Sequence, residues 1–394
     1  MTGHGQMNLL YFASDFEARR YRLVELPKEM ADLFASTSSS PPGAANETSL
    51  LIKGHPHDEA VLCTATSTHS LKDVQVSNTL LIARPSPAIP THMTASSFGE
   101  HLDGIEEEDC LVYEVQDSLN SYYELAQVLP RLDRLRDMLI PSAFRGPEDE
   151  ENDAGTLFIK KQIMETIQAS HSEIERGLKD LHATEINGYC RMIDPEYTER
   201  ILSLILNTVV SENLDLSCVP LQTCTKELAE DDVPDYMLAH ILDSFSSSVD
   251  VALQRYTLSK DKISTFFGIQ LLASAHPKQW QLEDFMEAWK ERVLDLTDVS
   301  LDLLRGSFLK ETTPLGVVYL KYYPKHVVSS MDAKSRFEYL FSTRARWTLD
   351  EIIPYIEDLA ADKKKLDVLL LKFARASGSG INTTYSSRFA TVGK

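Results

Sequence analysis

Between Ser49 and Ile82 short apolar runs alternate with polar turns: SLLIK, then GHPHD, then VLCTAT, then a polar stretch through Lys72-Asp73, then VSNTLLI. Aliphatic and β-branched runs bounded by Gly, Pro and Asp predict three consecutive strands, at 49–53, 61–66 and 76–82. Alternation along them places Leu50, Ile52, Val61, Cys63, Leu80 and Ile82 on one inward face, either plain core or a surface for a partner subunit. Three strands leave an apolar face and two open edges, so something must cover them. Asn8–Phe12, Tyr21–Leu26 and Cys110–Gln116 add further strands, and Pro27 opens a short helix through Phe34. Six strands in residues 1–116 predict a small β-barrel-like domain or sandwich. The segments 35–46 and 85–105 have the composition of loops inserted into it.

From Tyr122 to Leu139 the period changes to three or four, through Leu125, Leu129, Leu132, Leu135 and Leu139, which predicts a helix. Gly146–Gly155, GPEDEENDAG, is an acidic, breaker-rich linker. Beyond it one plan recurs: helix, turn, second helix, strand pair. Its first occurrence has helices at 159–167 and from the capping box Ser170–Glu173, then a strand in 188–193. The helix 194–210 that follows is apolar nearly all round. The second occurrence has helices 263–273, 281–293 and 300–304, with strands near 308–310 and 316–322. The third has a helix from Phe337, a capping box at Thr348–Glu351, a break at Pro354, a helix 363–375 and a strand in 383–389. That plan is a winged helix. The predicted class is multidomain α+β: 1–116 barrel-like, 117–155 helix and linker, then winged helices in 156–255 (with connecting helices), 256–328 and 329–394.

Charge narrows the function. The formal net charge is −20, which opposes broad coating of nucleic acid. Residues 331–394, however, hold eleven Lys/Arg against eight Asp/Glu, a mildly basic end on an acidic body. No apolar run is long enough to span a membrane, and no secretory signal opens the chain, which points to the cytosol or nucleus. Five scattered cysteines fit neither a zinc knuckle nor a redox dithiol.

No nucleophile elbow, phosphate loop or metalloprotease helix is present, so no cofactor and no catalytic residue is expected. His55, His57, Asp58 and Glu59 read as a solvated turn, because consecutive ligands in one turn seldom share a metal's geometry. The runs 106–109 and 148–151 read as self-repelling acidic stretches. The sharpest candidate is the basic face Lys364, Lys372, Arg375 and Arg388 with Tyr385 beside it; arginine suits both phosphate and carboxylate. Its plain reading is a solubilising helix surface.

Three stretches resemble a known family: KGHPHDEAVLC with VSNTLLI, the segment Ile167–Ile193, and Phe337–Leu359 with LFSTRARWTLDEIIPYIEDL continuing to Tyr385–Arg388. The family is the accessory subunit, named for sister chromatid cohesion, of the alternative replication factor C clamp loader. The resemblance implies a half-barrel that co-folds with a small accessory subunit and the C-terminus of the large loader subunit. It implies tandem winged helices that bind the catalytic subunit of DNA polymerase epsilon and weakly touch DNA, in the nucleus. Other classes compatible with the residues are a free-standing winged-helix DNA-binding regulator and a scaffold of ubiquitin-ligase type.

Overall fold

A computed structural model of the chain describes residues 7–18, 20–28, 30–32, 50–56, 58–86, 110–152, 155–274, 279–329, 331–360, 362–378, 380 and 383–389. It divides into two compact units, 1–128 and 129–394. The expected loop at 35–46, the acidic run 106–109 and nearly all of 85–105 lie outside the described residues.

The first unit is one six-stranded sheet, β1 (Met7–Phe12), β2 (Val24–Glu25), β3 (Leu51–Lys53), β4 (Val61–Cys63), β5 (Thr68–Pro85) and β6 (Cys110–Val128). Its order is β1-β6-β5-β4-β3, with β2 also on β6. The path does not return on itself, so among the described residues the sheet is open and no closed barrel forms. β1 and β2 both run parallel to β6, against its first and last parts, whereas β5 lies antiparallel along the other side. The expected strand at 76–82 is the middle of the much longer β5, and its start is a bulge. Gln75 pairs with Ser121 and Leu80 with Leu119, so four β5 residues face the single Asn120; such an insertion bends and twists a strand.

One expectation fails here. The helix read from Tyr122 begins at Asp133, because Tyr122–Val128 is still β6. Leu125 does face a core, but as a strand residue in the small cluster of Met30, Leu62 and Leu125; leucine spacing was satisfied by two elements split at Pro130. The linker 146–155 is a 3-10 turn, Pro147–Asn152, entered at a glycine with φ +128.

In the second unit one order of elements occurs four times: helix, short edge strand, two helices, hairpin. The first copy uses α1 (Asp133–Leu139), α2 (Lys160–Thr166), α3 (His171–Asp180), β7 (Thr184–Ile186) and β8 (Tyr189–Arg191). The second uses α4 (Pro195–Ser211), β9 (Val219–Pro220), α5 (Leu221–Glu227), α6 (Asp235–Ser244), β10 (Ser246–Asp250) and β11 (Arg255–Leu258). The third has α7 (Lys260–Ser274), β12 (Trp280–Gln281), α8 (Leu282–Arg292), a 3-10 turn Leu301–Leu304, β13 (Phe308–Thr312) and β14 (Val318–Tyr322). After a four-residue helix α9 (His326–Ser329), the last has α10 (Ala333–Thr343), β15 (Trp347–Thr348), α11 (Leu349–Ile352), α12 (Lys363–Phe373), β16 (Ala374–Ser377) and β17 (Thr384–Ser387).

In each copy the edge strand pairs with the second strand of the hairpin: Phe158 with Cys190, Val219 with Tyr256, Trp280 with Leu320, Trp347 with Tyr385. Positions 158, 219, 280 and 347 are therefore equivalent, 61, 61 and 67 residues apart. The copy at 195–258 was not expected as a repeat. Its edge strand is two residues long and its helix α4 was read as a buried connector.

Local signals place the helices well. The Ser170 hydroxyl accepts from Glu173 N–H at 3.3 Å while the Glu173 carboxylate accepts from Ser170 N–H at 2.9 Å, the expected reciprocal cap. At Thr348 the Glu351 carboxylate accepts from both the Thr348 N–H (3.0 Å) and the Thr348 hydroxyl (2.9 Å), and Pro354 ends α11 in a 3-10 turn, as its missing donor requires. The copies share their cores: one cluster runs from Phe144 through the α4 residues Ile201, Ile205 and Val209 to Trp289 and Leu320. Leu309 and Tyr323 of the third copy belong to the core of the fourth.

Candidate interaction surfaces

The hairpin β3–β4 pairs Leu51 with Cys63, Ile52 with Leu62 and Lys53 with Val61. Paired residues share a face, so Ile52 lies with Leu62 and opposite Val61 and Cys63. The expected face assumed a register one residue different, and a slip by one exchanges the two sides. Cys63 is buried, Leu50 packs on the small cluster, and Val61, Leu80 and Ile82 are half-buried. Ile52 is 66% exposed because β3 is the end of the sheet.

On β1, Asn8 pairs with Leu111, Leu10 with Tyr113 and Phe12 with Val115. Alternation therefore sets Leu10, Phe12 and Leu111 on one face, and all three are exposed. Met30, Leu62 and Leu125 form one small core cluster, and among the described residues Tyr11, Cys63, Val112, Val115 and Leu119 are buried as well. Leu10, Phe12, Leu51, Ile52, Leu81 and Leu111 are exposed. Sequence reasoning missed Leu10, Phe12 and Leu111; the apolar β1 run NLLYF was the available signal.

The terminal basic residues occupy α12 and the hairpin after it. Lys364, Lys372, Arg375 and Arg388 are exposed. Arg388 is held beside the helix end: its backbone N–H donates to the Phe373 carbonyl at 3.1 Å and its guanidinium to the Leu371 carbonyl. The Lys372 ammonium lies 5.1 Å from the Phe373 ring centre. Tyr385 is turned away from these cations. It is paired with Ala376 and Trp347 and packs half-buried against the core of the last copy. Arg375 pairs with Ser386 instead, on the other face of the hairpin.

A cleft of about 300 Å³ between the first two copies is lined by Lys160, Glu175, His182, Cys190 and His240. His240 Nε2 lies 2.9 Å from the His182 carbonyl. Burial pushes the His182 imidazole down to about 4 and the Cys190 thiol upward. At neutral pH both are uncharged, so the cleft holds neither a thiolate nor an imidazolium at these two positions. Among the described residues no three His, Cys, Asp or Glu side chains converge as a metal site would require; His57 lies outside them.

The family described as "Sister chromatid cohesion protein Dcc1" matches residues 21–356. A Xenopus tropicalis sister chromatid cohesion protein DCC1 is 30% identical over 390 residues, covering 97% of this chain and 93% of the relative. A Danio rerio protein of the same name is 32% identical over 96% of the chain and 92% of its own length. The Saccharomyces cerevisiae protein is 24% identical over 51% of the chain and 54% of itself.

Proposed function

The chain belongs to the family of the sister chromatid cohesion protein Dcc1, and from that premise we propose that it is a non-catalytic adaptor subunit of the alternative replication factor C clamp loader, acting in sister chromatid cohesion and DNA replication. The observation that carries this reading is the N-terminal sheet, open at both ends, with exposed apolar side chains on its terminal strands, Leu10 and Phe12 on β1 and Leu51 and Ile52 on β3. An autonomous domain loses free energy by exposing such a surface, at about 25 cal/mol per Å² of apolar area. A subunit that buries that surface on assembly regains it. The partners are the C-terminus of the large loader subunit and a small accessory subunit, whose strands extend or cover the sheet.

The four repeated copies are winged helices in this reading: the order helix, strand, two helices, hairpin with the last strand central is their plan. They carry the contact with the catalytic subunit of DNA polymerase epsilon, and the basic end adds weak DNA contact. Tethering both at once raises the loader's effective concentration where primed DNA is made, in the nucleus.

The test is affinity purification of the tagged full-length chain, beside a variant with Leu10→Ser, Phe12→Ser and Ile52→Ser. Loader subunits recovered with the parent and lost with the variant, with polymerase recovered by both, support the adaptor. Recovery of the parent alone, or only with bulk chromatin, favours a free-standing DNA-binding regulator instead.

A further inference from the structure

A cleft of about 320 Å³ lies on the seam between the third and fourth copies. Its floor is apolar. Leu301 and Phe308 pack against the large shared core, Leu309 belongs to the core of the last copy, and the buried Pro354 lines it as well. The walls are held in place. Tyr355, 1% exposed, donates its hydroxyl proton to the Tyr323 carbonyl at 2.9 Å, with the Phe308 carbonyl 3.3 Å away. Gly306, at φ +81, brings its backbone against Pro354, where a Cβ would stand 2.9 Å from the proline Cβ. Ligand sites are ordinarily preformed clefts of this kind, apolar with a few polar groups. At the rim Arg305 reaches across to the Asp350 carboxylate at 3.4 Å, and Arg344 to Glu351 at 2.8 Å. Lys310 and Asp302 complete the rim; both are exposed, and among the described residues neither makes an ion pair.

We propose that this cleft receives an aromatic side chain with a polar edge, tryptophan or tyrosine, from a charge-neutral segment of another protein. Three cations, Arg305, Lys310 and Arg344, stand beside three carboxylates, Asp302, Asp350 and Glu351, so the rim has no net charge. A strongly acidic or strongly basic segment meets as many like charges as opposite ones, and a phosphate chain meets Asp302 and Asp350. What the cleft does offer is an apolar floor and a carboxylate with no protein partner. Leucine or phenylalanine buries its surface there and leaves Asp302 unanswered. An indole N–H or a phenol O–H donates to it. Arg305 adds a second attraction. Its contact with the 89% exposed Asp350 is long, so the guanidinium can lie over an incoming ring at little cost. Anchors of this sort, seated in a pocket, carry much of the energy of protein interfaces. The proposal stands on this seam alone and is independent of the clamp-loader reading.

The test uses the full chain and ligand-detected NMR titrations with four probes: the N-acetyl amides of tryptophan, phenylalanine and leucine, and adenosine monophosphate. The tryptophan amide binds most tightly and the phenylalanine amide about fivefold more weakly, the worth of one hydrogen bond. The leucine amide is weaker still. Asp302→Ala brings the tryptophan amide down to the level of the phenylalanine amide and leaves the latter unchanged. Leu301→Trp fills the cleft from its own floor and abolishes both. Asp302 is exposed, so its variant decides the matter even if Leu301→Trp lowers the thermal transition. Failure of every aromatic amide to bind, equal binding of the leucine and tryptophan amides, or tryptophan binding that ignores Asp302→Ala overturns the proposal. Tightest binding by adenosine monophosphate, lost in Leu301→Trp, overturns it too and makes the cleft a nucleotide site.

Discussion

Trp280 and Trp347 do the same job in successive repeats. Each opens a two-residue edge strand, and each indole N–H donates back to the preceding helix, to the carbonyls of Leu271 and Leu340, both at 3.1 Å. Trp347 is fully buried and donates also to the Arg344 carbonyl, at 2.9 Å. One side chain thus packs in the repeat and adds a donor at the helix C-terminus, where the Leu340 carbonyl also accepts from Arg344 N–H and the Leu271 carbonyl from the Ser274 hydroxyl. Trp347→Phe keeps an aromatic ring but loses the donor and part of the indole's buried volume. It lowers stability by about 1–3 kcal/mol, read by chemical denaturation; an unchanged midpoint would show the bond to be dispensable.

Arg336 is 2% exposed and holds the last repeat together at four places. Its guanidinium donates to the carbonyls of Ser329 (2.7 Å), Met331 (3.2 Å) and Tyr355 (3.1 Å) and to the Asp358 carboxylate. Arg336→Met strands these acceptors and costs about 3 kcal/mol or more. Arg336→Lys restores little, since an ammonium cannot fork to four partners. Hydrogen exchange should rise across 326–389 in both variants; rescue by lysine would contradict the geometry.

Gly268 lies inside α7, where helix propensity alone favours Gly→Ala by about 1 kcal/mol. Here packing reverses the sign. A Cβ at 268 would stand 2.7 Å from the ring carbons of Trp289 and 2.9 Å from Leu304. Both neighbours are fully buried, and overpacking of that kind costs about 1–3 kcal/mol. Gly268→Ala is therefore expected to lower the thermal midpoint, and a higher midpoint would show that the Trp289 site can give way.

His182 sits at φ +51, stacked on Phe245 with ring centres 5.1 Å apart. Burial first, then His240 and Lys262, hold its imidazole at about 4, below its ordinary 6.5. Between those values the unfolded chain binds a proton that the folded chain refuses. Stability is complete above about pH 6.5 and declines as the pH falls toward 4, by up to roughly 3 kcal/mol. His182→Asn, which tolerates the left-handed backbone, should flatten that part of the pH profile. Equal slopes in the two proteins would remove His182 as the cause.

How much of this was readable beforehand depended on how local each signal is. Capping boxes at Ser170 and Thr348, the break at Pro354 and the strand at Asn8–Phe12 are decided within a few residues, and all are present. Leu125 was misread because a leucine in a strand and one in a helix look alike until a breaker separates them. The face containing Ile52 depended on a register set across the hairpin by pairing with Leu62, which composition does not encode. The second repeat escaped notice because Val219-Pro220 is too short a strand to interrupt a helical pattern.

The sheet's first and last strands carry one more consequence, for the order of folding. β1 pairs in parallel with β6, Met7 against Cys110 through Phe12 against Val115, so partners about a hundred residues apart must meet. Everything in the second unit pairs within its own repeat or with the next. A pairing of such long range closes slowly, because its loop entropy is spent before any contact repays it. During synthesis β1 is made first and stays without its partner strand until residues 110–115 of β6 have emerged. A strand from another subunit that reaches β6 before β1 docks competes with it for the same ladder, so assembly and folding of this sheet are in kinetic competition.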